Sequence, residues 1–248
     1  MSIFDDPGLY GRLYAGAYEG DTATSADPDP GPAVDFLADL AGPDARVLEL
    51  AIGAGRVALP LAARGVRVEG VEGSPEMVAH LRRHPGGADL PVVIGDMAEV
   101  PVDGPYTLAY LVFNTLFNLV DAEKQARCFR NVARVLAPGG SFVIEAYVPD
   151  PADFDRDEQL QMRKVTEDSA TFRIHQYDRD AQTFIRQTIT FGRDGVQLSP
   201  FAMRYLWPAQ IDELAAQAGM ALAARYADWH RTPFTPASPD HVSVYVLS

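Results

Sequence analysis

An α/β fold, with a mainly parallel sheet flanked by helices and a small antiparallel β insertion, is what this 248-residue chain predicts. Three observations predict it. Short apolar strands alternate with helical stripes from residue 33 to 149, the rhythm of successive β-α units. The first strand, 47–50, runs straight into Ala51-Ile52-Gly53-Ala54-Gly55-Arg56, a turn of small residues at the carboxyl edge of a sheet, where nucleotide-like ligands lie in such folds. From 151 to 206 the period changes to two, with strand-like alternation over 171–177, 183–191 and 197–206, broken by the turns Asp178-Arg179-Asp180 and Arg193-Asp194-Gly195.

Each element has its own signal. Residues 1–20 predict a helix with Tyr10, Tyr14 and Tyr18 on one face. The stretch 21–32, carrying Pro28, Pro30 and Pro32, cannot hold regular structure and reads as a hinge, which makes 1–32 a candidate lid. Pro32 suits the first turn of a helix whose stripe is Val34, Phe36, Leu37, Leu40 and Ala41, and Gly42 stops it. After the glycine turn the next helix is expected to begin at Val57, because Pro60 is tolerated only in a first turn. Its free amides and dipole, beside Arg56, favour a carboxylate. The second strand, 66–71, ends at Glu72-Gly73-Ser74, and the third ends at Asp96-Met97. The fourth, 108–112, leads into Phe113-Asn114-Thr115-Leu116-Phe117-Asn118. Asp121 caps a helix over 122–136, and Leu136-Ala137-Pro138-Gly139-Gly140 precedes a fifth strand at 142–147. A helix at 208–218 and strands at 221–226 and 242–247, around a loop at 229–239, close the chain.

Two ligand classes fit the glycine turn, because Gly53, Gly55 and Ala58 also satisfy the looser dinucleotide fingerprint. Glu49 favours the other class, S-adenosylmethionine: an acid there suits the amino-acid end of a zwitterionic cofactor and would repel a pyrophosphate. Glu72 can accept from both ribose hydroxyls, each charge-assisted bond contributing roughly 1.5 to 3 kcal/mol. Asp96 can accept from the exocyclic adenine amine, with Met97 against the ring. The plainer roles are a salt bridge for Glu49, a surface acid for Glu72 and a helix cap for Asp96.

With these residues in order, the chain resembles the class I S-adenosylmethionine-dependent methyltransferases of the small-molecule type. Their acid-x-Gly-x-Gly-x-Gly loop appears as Glu49-Leu50-Ala51-Ile52-Gly53-Ala54-Gly55, with Ala51 in place of the first glycine. Glu72, Ser74, Met77, Asp96 and Pro138-Gly139-Gly140 stand at the matching places. The resemblance implies a Rossmann-like seven-stranded sheet ending in an antiparallel hairpin. It places the cofactor domain in 1–150 and 207–248, with 151–206 as an insertion over the active face. It implies in-line transfer of a methyl group to an oxygen, nitrogen or carbon of a small-molecule acceptor, with S-adenosylhomocysteine as product. The expected cofactor residues are Tyr14, Glu49, Ala51, Gly53, Gly55, Arg56, Glu72, Gly73, Met77, Asp96, Met97 and Phe113. Tyr18, Asn114, Asn118 and Tyr147 are candidates to face the acceptor, Glu145 alternates with Tyr147 on the fifth strand, and the loop from Trp229 to Phe234 is rich in contact-forming residues. Transfer needs alignment more than acid or base; the candidate bases are His241, His230 and His175. The alternatives are a non-catalytic ligand-binding or regulatory protein of the same fold and an NAD-dependent oxidoreductase.

Composition sets the remaining bounds. With 21 Lys plus Arg against 34 Asp plus Glu, the net charge of −13 disfavours nucleic acid as a partner. The chain has no secretion signal at its start and no apolar run of the roughly 18 residues a membrane span requires, so the expectation is a cytoplasmic protein, monomer or homodimer, with no membrane partner. The single cysteine, Cys128, reads as a packing residue and excludes disulfides within the chain. His80 and His84 stand at the spacing of a zinc pair, but Arg82, Arg83 and Pro85 read as a solvated helix end, and no metal site is expected.

Overall fold

A strand buried on both faces loses the alternation of a half-exposed one, and β1 (Arg46–Leu50) does so, with only Arg46 partly exposed. The computed structural model describes residues 3–14, 29–150 and 158–248. In it β1 lies inside a seven-stranded sheet with β2 (Arg67–Glu72), β3 (Val92–Ile94), β4 (Tyr106–Leu111), β5 (Leu136–Tyr147), β10 (Met220–Tyr226) and β11 (Asp240–Leu247). The spatial order is β3-β2-β1-β4-β5-β11-β10. The first five strands in the chain are parallel, and β11 runs antiparallel to both β5 and β10. Strand order reverses at β1, with β2 on one side and β4 on the other; this is the switch point at whose carboxyl edge ligands bind in α/β sheets.

Helices cover both faces. α2 (Gly31–Ala41), α3 (Ala58–Ala63) and α4 (Pro75–Leu81) pack against the face carrying Val47, Leu108, Tyr110 and Val143. α5 (Ala122–Val135) and α6 (Pro208–Gln217) cover the face carrying Leu48, Leu50, Leu111 and Ile144. Pro32 lies in the first turn of α2 and Gly42 ends it at φ 71°. α3 starts one residue after Val57, which keeps Pro60 in the first turn. Asp121 accepts from the Lys124 amide at 2.9 Å and caps α5. Cys128 is fully buried inside that helix's packing, and burial pushes its thiol pKa up.

Four expectations are corrected. The N-terminal helix does not span 1–20: a 3-10 turn at Ile3–Asp5 precedes Pro7-Gly8, and α1 covers only Leu9–Tyr14 among the described residues, because Pro7 has no amide to donate and Asp6 takes the Gly8 amide at 2.9 Å. Pro138-Gly139-Gly140 does not precede a strand but lies within β5, where Gly139 at φ 74° accompanies a register shift between Tyr106↔Leu136 and Leu108↔Ser141. The insertion has four antiparallel strands: β6 (Glu158–Val165), β7 (Ser169–Asp178), β8 (Thr183–Gly192) and β9 (Gly195–Arg204). β6 escapes period-two reading because it is a charged edge strand, with Glu158, Arg163 and Lys164 exposed. Finally, His80 and His84 share no helix: α4 stops at Leu81, His80 is buried and His84 is exposed.

Candidate functional site

At the carboxyl edge, the strand ends deliver three acids to one cavity of about 380 Å³. Glu49 leaves β1 on the side facing α3, 3% exposed, and its Oε2 accepts from the Tyr110 hydroxyl at 2.8 Å. Burial pushes its pKa up to about 8, against the opposing effects of that hydroxyl and the Ala58 amide. Glu72 ends β2, 7% exposed; its Oε2 accepts from the Gly53 amide at 2.8 Å and its Oε1 from the Ser74 amide at 2.9 Å. The acid of the second strand therefore pins the glycine turn that follows the first, and each oxygen keeps a second lone pair for a hydroxyl donor. Burial raises its pKa, and the amides of Ser74, Gly53 and Gly73 oppose the rise. Asp96, beyond β3, accepts from the Ala98 amide at 2.9 Å and lies 3.3 Å from the Lys124 ammonium.

Glu49, Ala51, Gly53, Arg56, Glu72, Gly73, Met77, Asp96, Met97, Phe113 and Asn118 all line this cavity. The backbone permits close approach: Ala51 and Gly53 are left-handed, at φ 53° and 57°. Arg56 stacks on Phe113, its guanidinium carbon 3.4 Å from the ring centroid. Phe113 and Asn114 are both left-handed as well, at φ 56° and 62°. Glu145 on β5 holds that turn from behind, its Oε2 accepting from the Phe113 amide and its Oε1 from Trp229 Nε1, each at 2.8 Å. The Asn118 Oδ1 atom is buried in the cavity wall with no hydrogen-bond partner among the described residues.

Other expected residues lie elsewhere. Gly55 packs behind the wall, where an added Cβ would meet Leu59 and Leu81 at 3.0 to 3.1 Å. The Asn114 side chain accepts from the Tyr147 amide at 2.6 Å, and Tyr147 sits edge-on to Phe117, ring centroids 5.1 Å apart; neither lines the cavity. His241 is fully buried on β11, its Nδ1 2.8 Å from the Ser243 hydroxyl, and burial drives its pKa down to about 4. His230 sits on an exposed turn closed by Asp228. His175 lies on β7 and does not reach the cavity, so none of the three expected bases is in place to act there. The 229–239 loop does not line this cavity: Trp229 packs edge-on to Phe36 of α2 at 5.4 Å and Arg231 stacks on the same ring at 4.8 Å. Tyr14 ends α1 and its side chain is not among those described; Tyr18 lies outside the described residues.

The N-terminal segment and the insertion supply walls that motif reading missed. Phe4, Asp5, Asp6, Pro7, Leu9, Tyr10 and Leu13 cover one side, and Arg186, Phe201 and Met203 another. The segment reaches this position because glycines face it on both sides of the contact. A Cβ on Gly73 would lie 2.3 Å from the Pro7 carbonyl oxygen, and one on Gly11 would lie 1.8 Å from the Ser74 hydroxyl. Lys124 ties the layers together by donating to the Asp5 carbonyl at 3.1 Å as well as reaching Asp96. A sequence signal for it existed: a lysine in the first turn of a helix stands against the dipole and needs an acidic partner.

Residues 47–140 match a family model described as a methyltransferase domain. The CcbJ methyltransferase from Streptomyces caelestis is 34% identical, with 98% of this chain and 100% of that one superposed at a TM-score of 0.87. A cypemycin N-terminal methyltransferase from a Streptomyces species is 26% identical over 80% of this chain and 81% of its own length. CalS10 from Micromonospora echinaspora, an amino pentose methyltransferase solved with S-adenosylmethionine bound, shares the fold at a TM-score of 0.66 and 22% identity, over 97% of this chain and 99% of that one. With its strand order, its strand-end acids and these likenesses, the chain belongs to the class I S-adenosylmethionine-dependent methyltransferases that act on small molecules.

Proposed function

We propose that this enzyme methylates an amine of a small-molecule acceptor and releases S-adenosylhomocysteine. The observation that carries the cofactor assignment is the convergence of Glu49, Glu72 and Asp96, three consecutive strand-end acids, on one cavity with Gly53 and Gly73 in its wall. These residues fit the group: Glu72 offers carboxylate lone pairs at a glycine-lined edge, and buried Glu49 lacks a cationic neighbour at hydrogen-bond distance among the described residues. In this reading Glu72 takes the ribose hydroxyls, Asp96 and Met97 the adenine, and Glu49, Ala51, Gly53 and Arg56 the methionine end, with Met77 and Phe113 packing alongside. The cofactor supplies an activated methyl group. The chain positions the acceptor and excludes water. Domain 1–150 with 207–248 holds the cofactor, and the 151–206 insertion covers the acceptor.

The cypemycin relative, named for methylation of an N-terminus, supports nitrogen as the acceptor atom. Incubation with S-adenosylmethionine and paired acceptors that differ only in amine or hydroxyl tests this. S-adenosylhomocysteine should appear, by mass spectrometry, with the amine member; turnover of the hydroxyl member alone would overturn the assignment.

A further inference from the structure

The acids that line the cavity, Asp5, Asp6, Glu49, Glu72 and Asp96, all come from the N-terminal segment and the sheet edge, where Arg56 and Lys124 stand among them; among the described residues of the insertion, the charged residue that lines it is Arg186. Arg186 lies on β8, its guanidinium carbon 4.3 Å from the centroid of Phe201, and its Nε is buried with no hydrogen-bond partner. It forms no ion pair among the described residues. Directly opposite in register on β7 is His175, whose Nδ1 is likewise buried without a partner. Arg173 stands two residues before His175 on the same side of the strand. Burial and the charges of Arg186, Arg173 and Arg163 hold the His175 pKa below its ordinary value. A guanidinium that lines a cavity and forms no ion pair among the described residues suits an oxyanion, since its planar N–H groups match carboxylate and phosphate oxygens.

We infer that the acceptor carries, besides its amine, an oxyanionic group that seats on Arg186 at the insertion side of the cavity. This rests on the proposed amine methylation: the amine sits toward the acidic cofactor edge and the anion toward the insertion, so that the two ends fix the acceptor's direction. The oxyanion is a carboxylate or a phosphate, which share this recognition.

The protein saturated with S-adenosylhomocysteine is titrated calorimetrically with inorganic phosphate and, separately, with acetate; the anion that binds identifies the source. Arg186→Met, which keeps an apolar stem on Phe201, is expected to weaken that binding about tenfold or more, and Arg186→Lys to retain part of it. No binding of either anion to the wild type, or equal binding by Arg186→Met, would overturn the inference. Titration of S-adenosylhomocysteine into the same samples comes first. Its failure in the wild type strikes the cofactor reading, its success in both variants shows that they are folded, and anion failure with the cofactor product bound strikes only the acceptor inference.

Discussion

Ala51 stands where the family has a glycine and nonetheless holds φ 53°, a conformation that costs an L side chain roughly 1 to 2 kcal/mol. Ala51→Gly relieves it but loosens the unfolded chain, so the expected gain is below about 1 kcal/mol, seen as a rise of at most about 2–4 °C in melting temperature; a fall would show that the turn is unstrained. Phe113 and Asn114 bear the same kind of strain, and there Glu145 compensates. Glu145→Ala leaves a buried amide and an indole N–H without their acceptor, and the predicted cost is about 2 to 3 kcal/mol in urea unfolding. An unchanged midpoint would show that Glu145 does not hold the turn.

At the scale of elements, the N-terminal segment is the part most dependent on shape. Gly11 lies against Ser74 and Gly73 against Pro7, so Gly11→Val must lift α1 off α4. Faster hydrogen exchange across residues 3–14 and weaker cofactor binding are expected together; exchange that rises without loss of affinity would show that the segment covers the cavity without closing it. The β-α units were legible in the sequence because each acid, cap and stop is local: Glu72 after its strand, Asp121 before its helix, Gly42 after another. What stayed hidden depends on long-range contact. Arg186 and Phe201 look like ordinary positions of a meander until β8 and β9 fold over the sheet edge, and Phe4 to Pro7 have no period to read. The histidines misled for the opposite reason, since His241 sits at the start of a strand whose interior position only pairing reveals.

At the scale of the molecule, burial of Glu49 links stability to pH. Its folded pKa, raised to about 8, means that the native state keeps a proton the unfolded chain has released. The stability this contributes is fully present below the ordinary carboxylate range and is lost as pH rises through about 8. Without cofactor, denaturant midpoints should therefore fall between about pH 5 and 8 and level off above, and Glu49→Gln, which can still accept from Tyr110, should flatten that limb; an equally steep limb in the variant would assign the loss to other groups. A cationic cofactor beside Glu49 works against the loss by favouring its ionised form.

If acids at consecutive strand ends hold S-adenosylmethionine, calorimetric titration of that molecule into the wild type and Glu72→Ala will separate the two proteins. Affinity is expected to weaken by about tenfold or more in Glu72→Ala, because Glu72 pins the Gly53 turn and, in the proposed binding mode, also takes the ribose. Equal affinity in the two proteins would contradict that binding mode.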